Sequence, residues 1–122
     1  MVNAVSGLAL SRFGNAKLKE QWLLDVVAGC KFCSLAGTEQ QAGSDTAGSK
    51  TCARDLQDSS WSIHGEKAFI TNPGTDISLF TMVMAIDSAT DAAKKSFSLF
   101  HVPIGTTGYE IGSSYRKMGW RS

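Results

Sequence analysis

Beyond Gly29 the sequence breaks into short stretches rich in β-branched and aromatic residues, separated by clusters of Gly, Ser, Asn and Asp at strand-like intervals. From that point on the chain reads as mostly β. The stretches are Lys31 to Ala36, Ser49 to Asp55, Trp61 to Phe69, Leu79 to Ile86, Phe97 to Pro103 and Tyr109 to Met118. About six strands in this length predict a mainly β fold, a small antiparallel β-barrel or sandwich with a short N-terminal helical segment. Asp87 to Lys95 holds no large apolar residue and reads as a solvated hairpin loop, and Pro73-Gly74 marks a turn.

Ahead of the strands the period changes. From Asn15 to Ala28, Leu18, Trp22 and Val26 recur at four-residue spacing with Leu23 and Val27 on the same stripe, which predicts an amphipathic helix. Asn15 is suited to cap its start and Gly29 to end it. Met1 to Phe13 has only weak helical character and is expected to be poorly ordered. The expected organisation is therefore a helical segment over residues 1–28 leading into a β-domain over residues 29–122.

With 122 residues the chain has enough material for one core. Twelve basic against eleven acidic side chains give no electrostatic reason to expect a nucleic-acid partner. No apolar run approaches the roughly 20 residues that span a bilayer, and the first residues show no secretory leader pattern. The chain reads as cytoplasmic, or as a piece of something larger. Cys30, Cys33 and Cys52 leave one thiol over in any disulfide scheme, so reduced cysteines are expected. A zinc site from Cys30, Cys33, Cys52 and His64 or His101 is disfavoured, since residues three apart on a strand face opposite sides. No metal site is assigned.

Two stretches carry potential chemistry. Thr38-Glu39-Gln40-Gln41-Ala42-Gly43-Ser44-Asp45 leaves a buried-looking strand and packs hydroxyls, small residues and two acids into eight positions. Such a loop can present N–H groups and hydroxyls to a polar ligand, although Ala-Gly-Ser-Asp is also ordinary turn chemistry. Its glycine spacing matches no Walker or dinucleotide fingerprint. The second, His64-Gly65-Glu66-Lys67-Ala68-Phe69-Ile70-Thr71-Asn72, starts in a tight turn and runs into an apolar strand; on its own it reads as a hairpin strand with Phe69 in the core.

Together the two stretches resemble the acyl-CoA dehydrogenase family, in the pattern Thr-Glu-x-x-Ala-Gly-Ser-Asp followed by Gly-x-Lys-x-Phe-Ile-Thr-Asn. The resemblance extends to Lys19-Glu20-Gln21-Trp22-Leu23, to Phe97-Ser98-Leu99-Phe100-His101-Val102 and to Lys117-Met118-Gly119-Trp120-Arg121, covering nearly the whole chain. It implies the family's middle β-domain, which lies between two helical domains and contributes to the FAD site.

Carried over residue by residue, the resemblance implies that Thr38 and the backbone of Gly37 hydrogen-bond the pyrimidine edge of the flavin, with Leu35 and Ala36 lining the same strand end. Thr71 takes the place of the threonine that approaches flavin N5, Phe69 packs beside the ring system, and Ile70 contributes backbone contacts. Gly43 allows close approach. Ser44 is implied near both the pyrophosphate and the acyl-CoA, and Lys94 near the CoA end of the substrate.

Two departures stand out. Gln40 occupies the position where the family usually has Pro, which restores an N–H and frees φ. His64 stands where the family commonly has Asn before Gly-x-Lys, and is read as a turn residue.

For the parent enzyme the resemblance implies FAD-dependent α,β-dehydrogenation of acyl-CoA to trans-2-enoyl-CoA, a homo-oligomeric assembly, and an electron-transfer flavoprotein or another acceptor as partner. The catalytic carboxylate belongs to a C-terminal helical domain that no segment here resembles. No catalytic residue is assigned, and the chain is expected to be inactive alone and to bind FAD weakly. An acyl-CoA oxidase or flavin monooxygenase shares this middle domain and stands as the alternative; a flavin-free β-module binding protein or lipid is the alternative of another class.

Overall fold

The computed structural model describes residues 2–87 and 95–119. The loop expected at Asp87 to Lys95, with Lys94, lies largely outside them, as do Trp120 and Arg121. The elements are α1 (Val2–Phe13), α2 (Ala16–Val27), β1 (Phe32–Ala36), a 3-10 turn (Thr46–Gly48), β2 (Cys52–Asp55), β3 (Trp61–His64), β4 (Ser78–Asp87) and β5 (Phe97–Pro103). The strands run in the order β1-β4-β2-β3, and β5 also pairs with β4. The chain divides into two compact units, one of Met1–Leu35, Ile70–Met82 and His101–Ser122, the other of Ala36–Phe69 and Val83–Phe100.

In the first unit α2 forms where its apolar stripe predicts. The Asn15 side chain accepts from the Leu18 N–H at 2.9 Å. At the other end Gly29 takes φ +72°, the Cys30 N–H bonds the Asp25 carbonyl at 3.0 Å and the Gly29 N–H bonds Val26 at 3.2 Å, the paired bonds of a Schellman cap.

Of the stretch Met1 to Phe13, expected to be poorly ordered, the described residues Val2–Phe13 are instead helical. Tertiary contacts override their weak amphipathicity. The Asn3 amide donates to the Lys31 carbonyl at 3.1 Å and accepts from the Cys33 N–H at 2.8 Å, so one side chain serves two backbone groups at the start of β1, one just before it and one within it, as a neighbouring strand would. The Ser6 hydroxyl donates to the Ser34 carbonyl at 3.1 Å. Gly7 admits Val26 of α2, whose Cγ1 would lie 3.3 Å from any added Cβ.

The core of this unit gathers Leu10, Val26, Cys33, Phe80 and Met82, with Trp22 and Leu18 packed against it. Phe80 is fully buried, edge-on to Trp22 at 6.1 Å and 4.4 Å from the His101 ring. Nε2 of His101 is buried with no hydrogen-bond partner among the described residues. Burial holds that imidazole's pKa below its usual value.

In the second unit β2 and β3 form an antiparallel pair, with Ala53 opposite Ile63, and β2 meets the end of β4 in parallel through Cys52 and Ala53. The sequence reading started β2 at Ser49. It begins three residues later because the N–H groups of Lys50 and Thr51 are taken by the Glu39 carboxylate. β3, expected to reach Phe69, ends at His64. Gly65 follows at φ +152°, and a Cβ there would stand 2.7 Å from the Thr51 Cα.

No strand forms over the expected Tyr109 to Met118. Its first residue is held in the first unit by its side chain, the Tyr109 hydroxyl donating to the Pro73 carbonyl at 2.8 Å and meeting the Thr81 hydroxyl at 2.8 Å. Gly112, Ser113 and Ser114 then interrupt the alternation a strand needs. The described residues thus hold five strands, and the fold is mainly β behind two N-terminal helices.

Candidate functional site

Within the second unit, β1 ends at Ala36 and the chain passes through Gly37 and Thr38 into a closed turn. The Glu39 N–H donates to the Ala42 carbonyl at 3.0 Å and the Ala42 N–H returns to Glu39 at 3.1 Å, leaving Gln40 and Gln41 at the tip. Gly43 and Ser44 follow, both exposed. Ala36 is buried and Gly37 and Thr38 are half-buried.

The two sequence motifs join here. Lys67 Nζ lies 2.8 Å from Glu39 Oε1 and donates to the Gly37 carbonyl at 3.1 Å. One residue on, the Ala68 N–H donates to the Thr38 carbonyl at 2.9 Å. Glu39 also accepts from the Lys50 N–H at 2.8 Å, the Thr51 N–H at 3.1 Å and the Gln41 amide at 2.6 Å.

Glu39 is only 4% exposed. Burial on its own would raise the pKa of this carboxyl, but the Lys67 ammonium and the Lys50 and Thr51 donors outweigh it and lower the value from 4.5 to about 2. A buried carboxylate is tolerated because Lys67 pairs with Oε1 and both oxygens accept further hydrogen bonds, Oε1 from Thr51 and Oε2 from Lys50 and Gln41.

Phe69 closes this unit's share of the second motif. It is 59% exposed and takes φ +58°, an outlier for an aromatic residue. The expectation from the stretch alone, a core aromatic on a strand, does not hold. Farther along the unit, Lys95 donates to the Ala47 carbonyl at 2.7 Å. Lys94 lies outside the described residues.

Leu35, Ile70 and Thr71 belong to the first unit and are half-buried. The buried Ser34 hydroxyl sits 2.8 Å from both the Thr71 and Asn72 carbonyls, sharing its one proton between them. The Ser78 hydroxyl donates to Asn72 at 2.8 Å, fixing a residue at φ +52°. Ser6, Ser34 and Thr71 thus form one chain of contacts from α1 to the second motif.

Gly37 and Thr38 are therefore brought against Lys67 and Ala68, with the buried Ala36 just ahead of them, while Gly43 and Ser44 lie past the turn. The sequence reading gave no role to Glu39, Lys67, Ser34 or Ser78. For the first two a partial signal was present: the first motif carries the acids Glu39 and Asp45 and the second the single base Lys67, although nothing local says which acid that base meets. Ser34 carries no signal beyond its place in a strand. No cluster of three or more His, Cys, Asp or Glu residues suited to a metal ion occurs among the described residues.

Comparison with known proteins gives this arrangement its family. The family model described as acyl-CoA dehydrogenase, middle domain, matches residues 34–122. The chain belongs to the acyl-CoA dehydrogenase family. The mouse mitochondrial short-chain specific acyl-CoA dehydrogenase is 34% identical over 113 residues, which is 91% of this chain and 26% of that protein. Butyryl-CoA dehydrogenase from Megasphaera elsdenii superposes with a TM-score of 0.81 at 32% identity, over 93% of this chain and 29% of its own. A glutaryl-CoA dehydrogenase from Mycobacterium smegmatis, solved in complex with FADH2, gives 0.80 at 30% identity, over 96% and 28%. The chain thus spans between a quarter and a third of the length of these proteins.

Proposed function

We propose that this chain is the FAD- and acyl-CoA-contacting middle domain of a flavoenzyme that oxidises acyl-CoA to trans-2-enoyl-CoA. Residues 1–28 lead into the domain and residues 29–122 form it. Thr38 with the Gly37 backbone serves the flavin pyrimidine edge, beside Leu35 and Ala36. Thr71 and Ile70 serve the N5 region, and Phe69 packs beside the rings. Gly43 and Ser44 serve the pyrophosphate, with Ser44 and Lys94 also toward the substrate.

The observation that carries this reading is the junction of the two motifs. The carbonyls of Gly37 and Thr38 are already engaged, by Lys67 and by the Ala68 N–H. What this segment has left to offer a ligand is N–H groups and the Thr38 hydroxyl, the donor type that flavin carbonyl oxygens accept. Donors at that edge favour negative charge on a reduced flavin. FAD, when bound, supplies the hydride acceptor. The chain's own part is to hold donors in place and to meet phosphate oxygens with neutral groups.

In this reading the α-proton is removed by a carboxylate outside these residues. The parent enzyme is a cytoplasmic or matrix homo-oligomer that passes electrons to an electron-transfer flavoprotein or a comparable acceptor. Two assays test the proposal. Titrating FAD with the chain should quench flavin fluorescence saturably but weakly, and a linear, non-saturating response contradicts it. With acyl-CoA and an artificial acceptor, turnover should stay at the free-flavin background.

A further inference from the structure

We infer that Glu39 and Lys67 act as a positioning pair, whose task is to fix the Gly37–Thr38 backbone in the orientation that a flavin requires. The inference deepens the flavin reading above and rests on it.

Three features single out this pair. First, Lys67 bridges two acceptors, the Glu39 carboxylate at 2.8 Å and the Gly37 carbonyl at 3.1 Å, so the ion pair reaches directly into the segment before Thr38. Second, Glu39 collects four donors from three separate stretches of the unit: Lys67, the Lys50 and Thr51 N–H groups, and the Gln41 amide. A carboxylate with this many partners has a single allowed position, and Thr38 is its immediate chain neighbour. Third, the Lys67 and Glu39 side chains are 9% and 3% exposed, so neither is available to touch a ligand in solvent.

The pair therefore acts through Thr38 and Gly37. With the Gly37 carbonyl held by Lys67 and the Thr38 carbonyl by Ala68, both peptide planes around Thr38 are anchored. A donor in an anchored plane binds without a further ordering cost, which is the benefit of preorganisation. The same contacts account for the motif pairing in the sequence, since the glutamate of the first motif and the lysine of the second are two ends of one interaction.

The test uses the full 122-residue chain as wild type, Glu39→Gln and Lys67→Arg, with amide hydrogen exchange followed by NMR and with FAD titration. In Glu39→Gln the Lys50, Thr51 and Ala68 amides should lose protection while Phe80 keeps it, and FAD affinity should fall about tenfold or more. The reduction potential of bound FAD should shift negative, since misplaced donors stabilise the reduced form less. Lys67→Arg, which keeps charge and donors, should recover most of the affinity.

Where Glu39→Gln alone does not fold, Glu39→Gln with Lys67→Gln, which leaves no buried charge unpaired, is read in its place with the same expected loss. Saturable FAD binding with wild-type affinity and potential in the neutral variants overturns the positioning role alone. No saturable binding by the wild type overturns the flavin reading and this role with it.

Discussion

Lys67 Nζ stands 2.8 Å from Glu39 Oε1 in a setting where the lysine side chain is 9% and the glutamate 3% exposed. Truncating one partner of such a pair leaves a buried charge without its counterpart. Lys67→Met should therefore destabilise the chain by about 3–5 kcal/mol in a urea titration. A loss below about 1 kcal/mol, typical of a solvated pair, would mean that the two charges are wetter than this arrangement shows.

Acid sensitivity follows from the same carboxylate. Its folded pKa is depressed from 4.5 to about 2, so its contribution is fully present above pH 4.5 and is lost as pH falls toward 2. The drop corresponds to about 3 kcal/mol. Stability measured by denaturant titration should fall by roughly that amount across the window in the wild type. Glu39→Gln should show a flatter profile there.

His101 sets a second pH window, with its own sign. Its pKa is lowered in the fold by burial against Phe80 and Trp22, so the folded state favours the neutral ring. Stability from this group is fully present above the ordinary value of 6.5 and declines as pH falls below it. His101→Phe should remove the decline between pH 6.5 and the Glu39 window, measured as the slope of melting temperature against pH.

At Phe69 the backbone is in the left-handed region, which costs a non-glycine residue about 1–2 kcal/mol. Phe69→Gly should accordingly be more stable than Phe69→Ala, which lacks the ring equally but keeps the strained backbone, by about 1 kcal/mol in a denaturant titration. The same change should weaken FAD binding. Phe69→Val, β-branched at positive φ, should lower the melting temperature.

Gln40 sits at the tip of the turn that Glu39 and Ala42 close with reciprocal bonds of 3.0 and 3.1 Å. Proline is favoured at the second position of such a turn. Gln40→Pro should stabilise the chain by about 0.4–1 kcal/mol, read as a higher denaturant midpoint at constant slope.

Much of this structure was legible in the sequence because local rules govern it. The four-residue stripe and the Asn15 and Gly29 caps define α2, and β5 runs from Phe97 to Pro103 as its composition indicates. What escaped was decided by partners distant in sequence. α1 is stabilised by Asn3 and Ser6 meeting residues about 28 positions away, which no local pattern encodes. β2 starts late because a glutamate twelve residues earlier claims its first N–H groups. β3 stops at Gly65, where a Cβ would press on Thr51. The candidate site residues stood out as motif letters, whereas the pair that joins the motifs is visible only in the fold, where Glu39 and Lys67 touch.

The central claim is that the Thr38 segment forms part of an FAD site, and the most direct measurement is a fluorescence titration of FAD with the wild-type chain alongside Thr38→Val. The account predicts saturable quenching by the wild type and a loss of affinity of about 1–3 kcal/mol when the hydroxyl is replaced by a methyl group. Equal quenching by both chains, or none that saturates with the wild type, would contradict it.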